Sequence, residues 1–200
     1  MRALPKHEAH TASFRDVASR RVSIREFSDA PVSYDDVREA IGIASLAPSA
    51  CNRQSARVHL VTDPQIIDSI LRIQAGLGGY PRPPMLILIT GDASSYVEAT
   101  ERNQPYVDGA LFAMSLIYAL EDEGLGTCAL TAMLWRKHEK AVRDLLLVPP
   151  SECFVTFIAV GRVSQGATVP LSKRASVEAI TTVHASRDER AQQGQSRETS

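Results

Sequence analysis

Arg20-Arg21-Val22-Ser23-Ile24-Arg25-Glu26-Phe27 sets three guanidiniums and a hydroxyl within six residues, between two helical patterns. Guanidiniums that close together repel unless they point into water or share an anion. A planar guanidinium can give two parallel hydrogen bonds to two phosphate oxygens, and Ser23 adds a hydroxyl and a backbone N–H. The stretch is compatible with a phosphate-binding corner, but taken alone it reads first as a solvated basic turn, since charge runs usually face water. The rest of the chain has to decide between them.

On the N-terminal side, residues 1–11 are polar and are expected to be a flexible N-terminus. Ser13 to Arg20 carries Phe14, Val17 and Ala18 at helical spacing. On the C-terminal side, Asp29-Ala30-Pro31-Val32 is a turn. Ser33 is an N-cap followed by Asp35 and Asp36 in a helical first turn. Val37, Ala40, Ile41 and Ala44 mark the helix's apolar face, and Ala47-Pro48 ends it. A polar loop, Ala47 to Gln54, leads to a short strand at Val58–Val61. Asp63-Pro64 opens a helix with Ile66, Ile67, Ile70 and Leu71 inward. Three glycines and three prolines between Gly76 and Pro84 require a loop. Met85-Leu86-Ile87-Leu88-Ile89 is apolar on both faces, as a central strand covered on both sides should be.

Gly91 to Pro105 is polar and irregular. From Tyr106 to Glu123 runs the strongest helix. Val107, Ala110, Leu111, Met114, Ile117 and Tyr118 line one side, and Ala113, Leu116 and Leu120 widen the arc beyond a surface stripe. This predicts a core helix with a face left for a second partner, closed by Gly124 as C′ glycine. A short strand or extended turn at Gly126–Leu130, a helix at Arg136–Leu146 and a last strand at Phe154–Val160 follow. The domain is expected to span 12–184, with 185–200 a disordered tail. Helix, helix, strand, helix, strand, helix, strand, helix, strand describes an α+β domain.

Net charge is −1 and the apolar fraction is 44%, so no global attraction to nucleic acid or anionic lipid is expected. No apolar run approaches membrane-span length. The first ten residues lack a signal-peptide core. Cys51, Cys128 and Cys153 are odd in number and scattered, which fits a reducing, cytoplasmic setting. The five histidines show no metal-ligand spacing. His59 is expected to be packed or at a strand edge, and Cys128 to be a buried small residue. There is no nucleophile elbow and no P-loop. Gly124-Leu125-Gly126 follows a helix instead of opening one. What remains is binding equipment: the basic corner, the 47–54 loop and Lys173-Arg174. A chain with polar binding loops and few acids or bases suits a cofactor that carries the reaction.

Arg21-Val22-Ser23-Ile24-Arg25-Glu26-Phe27, Ala47-Pro48-Ser49-Ala50-Cys51-Asn52-Arg53-Gln54, Gly124-Leu125-Gly126-Thr127-Cys128-Ala129-Leu130 and Lys173-Arg174 together resemble the FMN-dependent nitroreductase family, from about residue 14 to 183. The resemblance implies a nitroreductase-like mixed sheet flanked by helices, built as an intertwined homodimer with FMN at the interface. Arg21 and Arg25, with Ser23 and Val22 in the same strap, would hold the phosphate and the N1/O2 side of the ring. Lys173 and Arg174 would close on the phosphate. Pro48, Ser49, Ala50, Asn52 and Gln54 would come from the partner chain. Ala129, Leu130 and Thr131 would lie along the ring, with the Thr131 N–H at N5, so that no side chain is catalytic in itself. Arg20 is left as the solvent-facing member of the corner.

The implied activity is hydride transfer between NAD(P)H or an organic donor and a nitroaromatic or quinone-like acceptor. A biosynthetic flavin dehydrogenase or desaturase, and a non-catalytic flavin-binding protein, are kept as rivals. The chain departs from the family's pattern at Val22, Ser55-Ala56 and Thr131-Ala132. Ser55-Ala56 would open the pocket or move the ring's neighbours. Residues 74–82 are unusual and would shape the substrate side. Glu101-Arg102-Asn103-Gln104 is compatible with a substrate contact or a plain surface turn.

Overall fold

A computed structural model describes residues 2–3 and 13–184. The expectations for the remainder of 1–11 and for 185–200 lie outside these residues. The chain divides into two compact units, Met1–Val169 and Pro170–Ser200.

The first unit follows the predicted order, with β1 at Arg2–Ala3 and β6 at Thr168–Val169 added as a short antiparallel pair. Helix α1 is Phe14–Arg20 and α2 is Tyr34–Ala44. Each opens with a reciprocal cap, Ser13 with Asp16 and Ser33 with Asp36. Strand β2 is Ala56–Val61 and α3 is Pro64–Gln74, capped by Asp63 with proline in the first turn. Then come β3 at Met85–Asp92, α4 at Gln104–Asp122, β4 at Gly126–Thr131, α5 at Arg136–Leu146 and β5 at Glu152–Gly161. Short 3-10 turns fill the segments read as irregular. Gly124 has φ +75°, as a C′ glycine should.

The four-stranded sheet has the order β2-β3-β5-β4, antiparallel throughout. Beyond the β4 edge, Ser23 of the strap after α1 makes an isolated parallel bridge to Thr127. Strand alternation divides the core in two. Met85, Ile87, Ile89, Ile158 and Val160 pack under α2 and α4. Leu86, Leu88, Phe157 and Ala159 face the α3 and α5 side, where Ile67, Ile70 and Val142 close over them. The central position inferred for 85–89 is therefore observed.

Helix α4 buries a different side from the one its sequence emphasises. Gly109, Phe112, Ala113, Leu116 and Leu120 are inward, whereas Val107, Ala110, Leu111 and Met114 are exposed. Helix α2 and the sheet occupy the first side and leave the second open. Of the described part of the second unit, α6 is Val177–Ile180, capped by Ser176, and residues 170–184 are exposed. No helix among the described residues is long and apolar enough to cross a membrane.

Candidate functional site

The strap turns out of α1 at Arg21, whose N–H closes the last turn on the Val17 carbonyl at 3.0 Å. Ile24 is buried, and its N–H donates to the Thr127 carbonyl at 2.8 Å. This pins the segment along β4 and leaves Arg21, Val22, Ser23 and Arg25 half-buried around it. Arg25 Nη1 donates to the Ser23 carbonyl at 3.4 Å. Cys128, on the same strand, shows that both arginines are near. Burial pushes its thiol above the ordinary value, while Arg25 and then Arg21 pull it back. It is 2% exposed, a buried small residue as expected.

Along β4, Cys128 and Leu130 point into the core while Ala129 and Thr131 are exposed. Cross-strand pairing of Ala129 with Ile158 sets that open side towards the α4 layer. Thr131 is further fixed from the 74–82 segment: Gln74 Nε2 donates to its carbonyl at 3.2 Å.

Arg20 does not face solvent. Its Nε donates to Glu121 Oε1 at 3.3 Å and its Nη2 to the Glu121 carbonyl at 3.3 Å. Its side chain is 14% exposed and that of Glu121 is fully buried. Burial raises the Glu121 carboxyl from 4.5 to about 7, against the pull of Arg20 and Arg21. The correction has a simple cause. Residue 20 still belongs to the helical turn of α1, which packs beside the C-terminal end of α4, whereas residue 21 has left it.

The loop 47–54 is the most constrained backbone in the unit. Cys51, Asn52 and Gln54 have φ of +50°, +55° and +50°. Each costs roughly 1–2 kcal/mol for a residue with a Cβ. Such strain persists only where surroundings impose it, and it gathers at functional sites. Here Gln54 N–H donates to Ser49 Oγ at 3.0 Å, and Gln54 Nε2 to Asn52 Oδ1 at 3.1 Å. Ala50 N–H donates to Asp108 Oδ2 at 2.9 Å. Arg53 is ion-paired with Glu101 and lies over the Tyr96 ring, 5.2 Å from its centroid. The 101–104 cluster therefore has intrachain partners: Glu101 holds Arg53, and Gln104 Nε2 donates to Asp108 Oδ1 at 2.8 Å. Ser55 is buried and bonded to the Tyr96 hydroxyl at 2.7 Å. Sequence reasoning missed Asp108 and Tyr96. The signal was present, since Asp108 is a lone acid in the apolar run of α4.

One chain does not bring the two groups of residues together. The strap lies on β4, one edge of the sheet, and the 47–54 loop feeds β2, the other edge. Three inter-strand steps of about 4.8 Å, some 14 Å in all, separate those edges. Lys173 and Arg174 are exposed in the second unit.

His59 is held at a strand edge, its Nε2 2.7 Å from Glu152 Oε2, and Thr90 Oγ1 donates to the same carboxylate oxygen. Among the described residues, no group of three or more histidine, cysteine, aspartate or glutamate side chains is arranged to hold a metal ion.

The sequence profile described as the nitroreductase family matches residues 18–78 and 77–162. A protein of Streptococcus pyogenes serotype M6 named as an NAD(P)H nitroreductase is 51% identical over 50 residues, a quarter of this chain and a quarter of that protein. Among solved structures, a nitroreductase family protein from Streptococcus pneumoniae superposes with a TM-score of 0.74 at 21% identity, over 86% of this chain and all of that one. A protein of Staphylococcus epidermidis named as an NAD(P)H:FMN oxidoreductase gives 0.73 at 16% identity, over 90% and 99% of the two chains.

Proposed function

The chain belongs to the nitroreductase family, a family of oxidoreductases, and from that premise we propose that it is an FMN-dependent enzyme of the homodimeric kind. It would take hydride from NAD(P)H or an organic donor and pass it to a small nitroaromatic or quinone-like acceptor. The observation that carries this is the division of the candidate site between the two edges of one sheet. A half-buried basic strap and an open strand face lie at one edge, and a strained polar loop lies at the other. A second copy of the chain would supply the missing half to each.

The residues present fit a phosphorylated ring cofactor. Ala129 is small and exposed on β4, which leaves room for a flat ring along the strand. Arg21 and Arg25 stand half-buried beside that strand, and their charges pull the Cys128 thiol down against the larger effect of burial. Bound there, FMN would supply reversible hydride uptake at one ring nitrogen. Arg21 and Ser23 would bind the phosphate, with Val22 adding apolar cover in place of a further cation. Arg25 would place positive charge where the reduced ring gains negative charge. The backbone N–H of Thr131 would orient the reacting edge, with Leu130 fixing the strand from the core side. Pro48, Ser49, Ala50, Asn52 and Gln54 of the second copy would line the ring and its chain. The free cysteines suit a reducing, cytoplasmic setting.

The departures at Ser55 and the polar cluster at 101–104 have partners within the chain. Ser55 is tied to Tyr96, and the 101–104 cluster to Arg53 and Asp108. The purified protein should be yellow and should bleach anaerobically with NADH or NADPH. A yellow protein inert to both would favour the dehydrogenase or a non-catalytic flavin binder. A colourless protein that FMN cannot titrate would overturn all three.

A further inference from the structure

The left-handed backbone at Cys51, Asn52 and Gln54 needs a cause outside the loop. The two hydrogen bonds made within it, Gln54 N–H to Ser49 Oγ and Gln54 Nε2 to Asn52 Oδ1, move with the loop and cannot hold it against the rest of the domain. The contacts that can do so converge on Asp108. Its side chain projects from the first turns of α4 and is almost fully buried, with 3% of the residue exposed. One carboxylate oxygen accepts from Ala50 N–H at 2.9 Å and from the Tyr96 hydroxyl at 2.6 Å. The other accepts from Gln104 Nε2 at 2.8 Å. The Tyr96 hydroxyl also meets Ser55 Oγ at 2.7 Å, and its ring lies under Arg53, which is paired in turn with Glu101. Both ends of the left-handed segment are thus tied to one buried carboxylate and its neighbours.

We propose that Asp108 is a positioning residue for the flavin site: with Tyr96, Gln104 and the Glu101–Arg53 ion pair, it latches residues 50–54 into the path that presents Ala50, Asn52 and Gln54 to the cofactor of the facing chain. The proposal rests on the assignment of the 47–54 loop to the flavin. It gives the 101–104 cluster a role away from the substrate. It also accounts for an acid embedded in an apolar helix. Three donors aimed at one buried carboxylate keep it ionised even though burial disfavours the charge. Its pKa accordingly sits below the ordinary carboxylate value, burial opposing and the hydrogen bonds from Tyr96, Gln104 and Ala50 prevailing.

The test uses the full chain and two readouts. FMN affinity is measured by fluorescence titration. Loop order is measured on FMN-free protein by trypsin cleavage after Arg53, identified by fragment mass. Asp108→Ala should weaken FMN binding by about tenfold or more, the scale of lost hydrogen bonds to a charged group, and should open the Arg53–Gln54 bond to trypsin. Asp108→Asn should recover most of both, because its amide oxygen can still accept from Ala50 and Tyr96 while its NH₂ meets a flipped Gln104. If Asp108→Ala does not fold, Tyr96→Phe is read the same way, with an expected loss of about threefold to fivefold. FMN affinity within about twofold of the parent in the folded variant, or unchanged trypsin protection, would overturn the latch. If the parent protein binds no FMN, the flavin assignment is what has failed, and proteolysis alone then decides whether Asp108 holds the loop.

Discussion

Arg20 and Arg21 are adjacent and chemically identical, yet one residue of helix separates their environments. Arg20 is spent on Glu121, and Arg21 is left beside β4. Their alanine variants should therefore separate stability from cofactor binding. Glu121 has a folded pKa of about 7, raised from 4.5. The stability tied to its neutral form is fully present below about pH 4.5 and is lost as pH rises through about 7. Arg20→Ala removes the larger of the two charges that offset this loss, and its hydrogen bond with it. It should cost about 3 kcal/mol at pH 8, the scale of a broken buried pair, and much less at pH 5, where Glu121 carries a proton. Arg21→Ala should leave stability within about 0.5 kcal/mol while weakening FMN binding by about tenfold or more. Denaturant unfolding at the two pH values, with FMN titration, checks both. Equal effects of the two variants on FMN would mean that the strap has been placed in the wrong register.

At the scale of elements, α4 can reach the sheet because two glycines lie in its path. A Cβ on Gly91 of β3 would stand 2.3 Å from the Pro105 carbonyl oxygen. A Cβ on Gly109 would stand 2.6 Å from Val155 Cγ2. The first obstacle is backbone and cannot turn aside, whereas the second is a side chain that can. Gly91→Ala should therefore cost about 3 kcal/mol and Gly109→Ala about 1 kcal/mol. Chemical denaturation measures both, and a larger loss for Gly109→Ala would contradict this account of the packing. The same helix shows where periodicity stops being informative. Apolar residues surround most of α4, so spacing alone names two candidate inner faces. The packing of α2 against the Phe112–Leu116–Leu120 side settles which one is filled.

For the molecule as a whole, the proposed two-fold assembly would use both the open face of α4 and the division of the site. Val107, Leu111 and Met114 are 49%, 44% and 38% exposed on a helix whose other side is core. In a two-fold dimer, Leu111→Glu would bury its charge twice. It should weaken dimerisation by about 100-fold or more and release FMN at the same protein concentrations. Sedimentation and flavin absorbance recorded together check this. A monomer that retains FMN at full occupancy would refute a site shared between chains.

The sequence by itself determined the main helices and strands and singled out the candidate binding loops. Helix caps such as Ser33 with Asp36, the proline start of α3, the doubly apolar β3 and the chain breaks around Gly124 are local features, written in neighbouring residues. The strap and the 47–54 loop were also recognisable, because several unusual residues stand close together in each. Only the tertiary structure decided that Arg20 is paired with the buried Glu121, that Asp108 accepts from Ala50 of the loop, and that the strap and the loop occupy opposite edges of the sheet. These are pairings between residues up to 101 positions apart. Burial and hydrogen-bond partners at that separation depend on how helices and strands stack, and no local pattern of spacing records them.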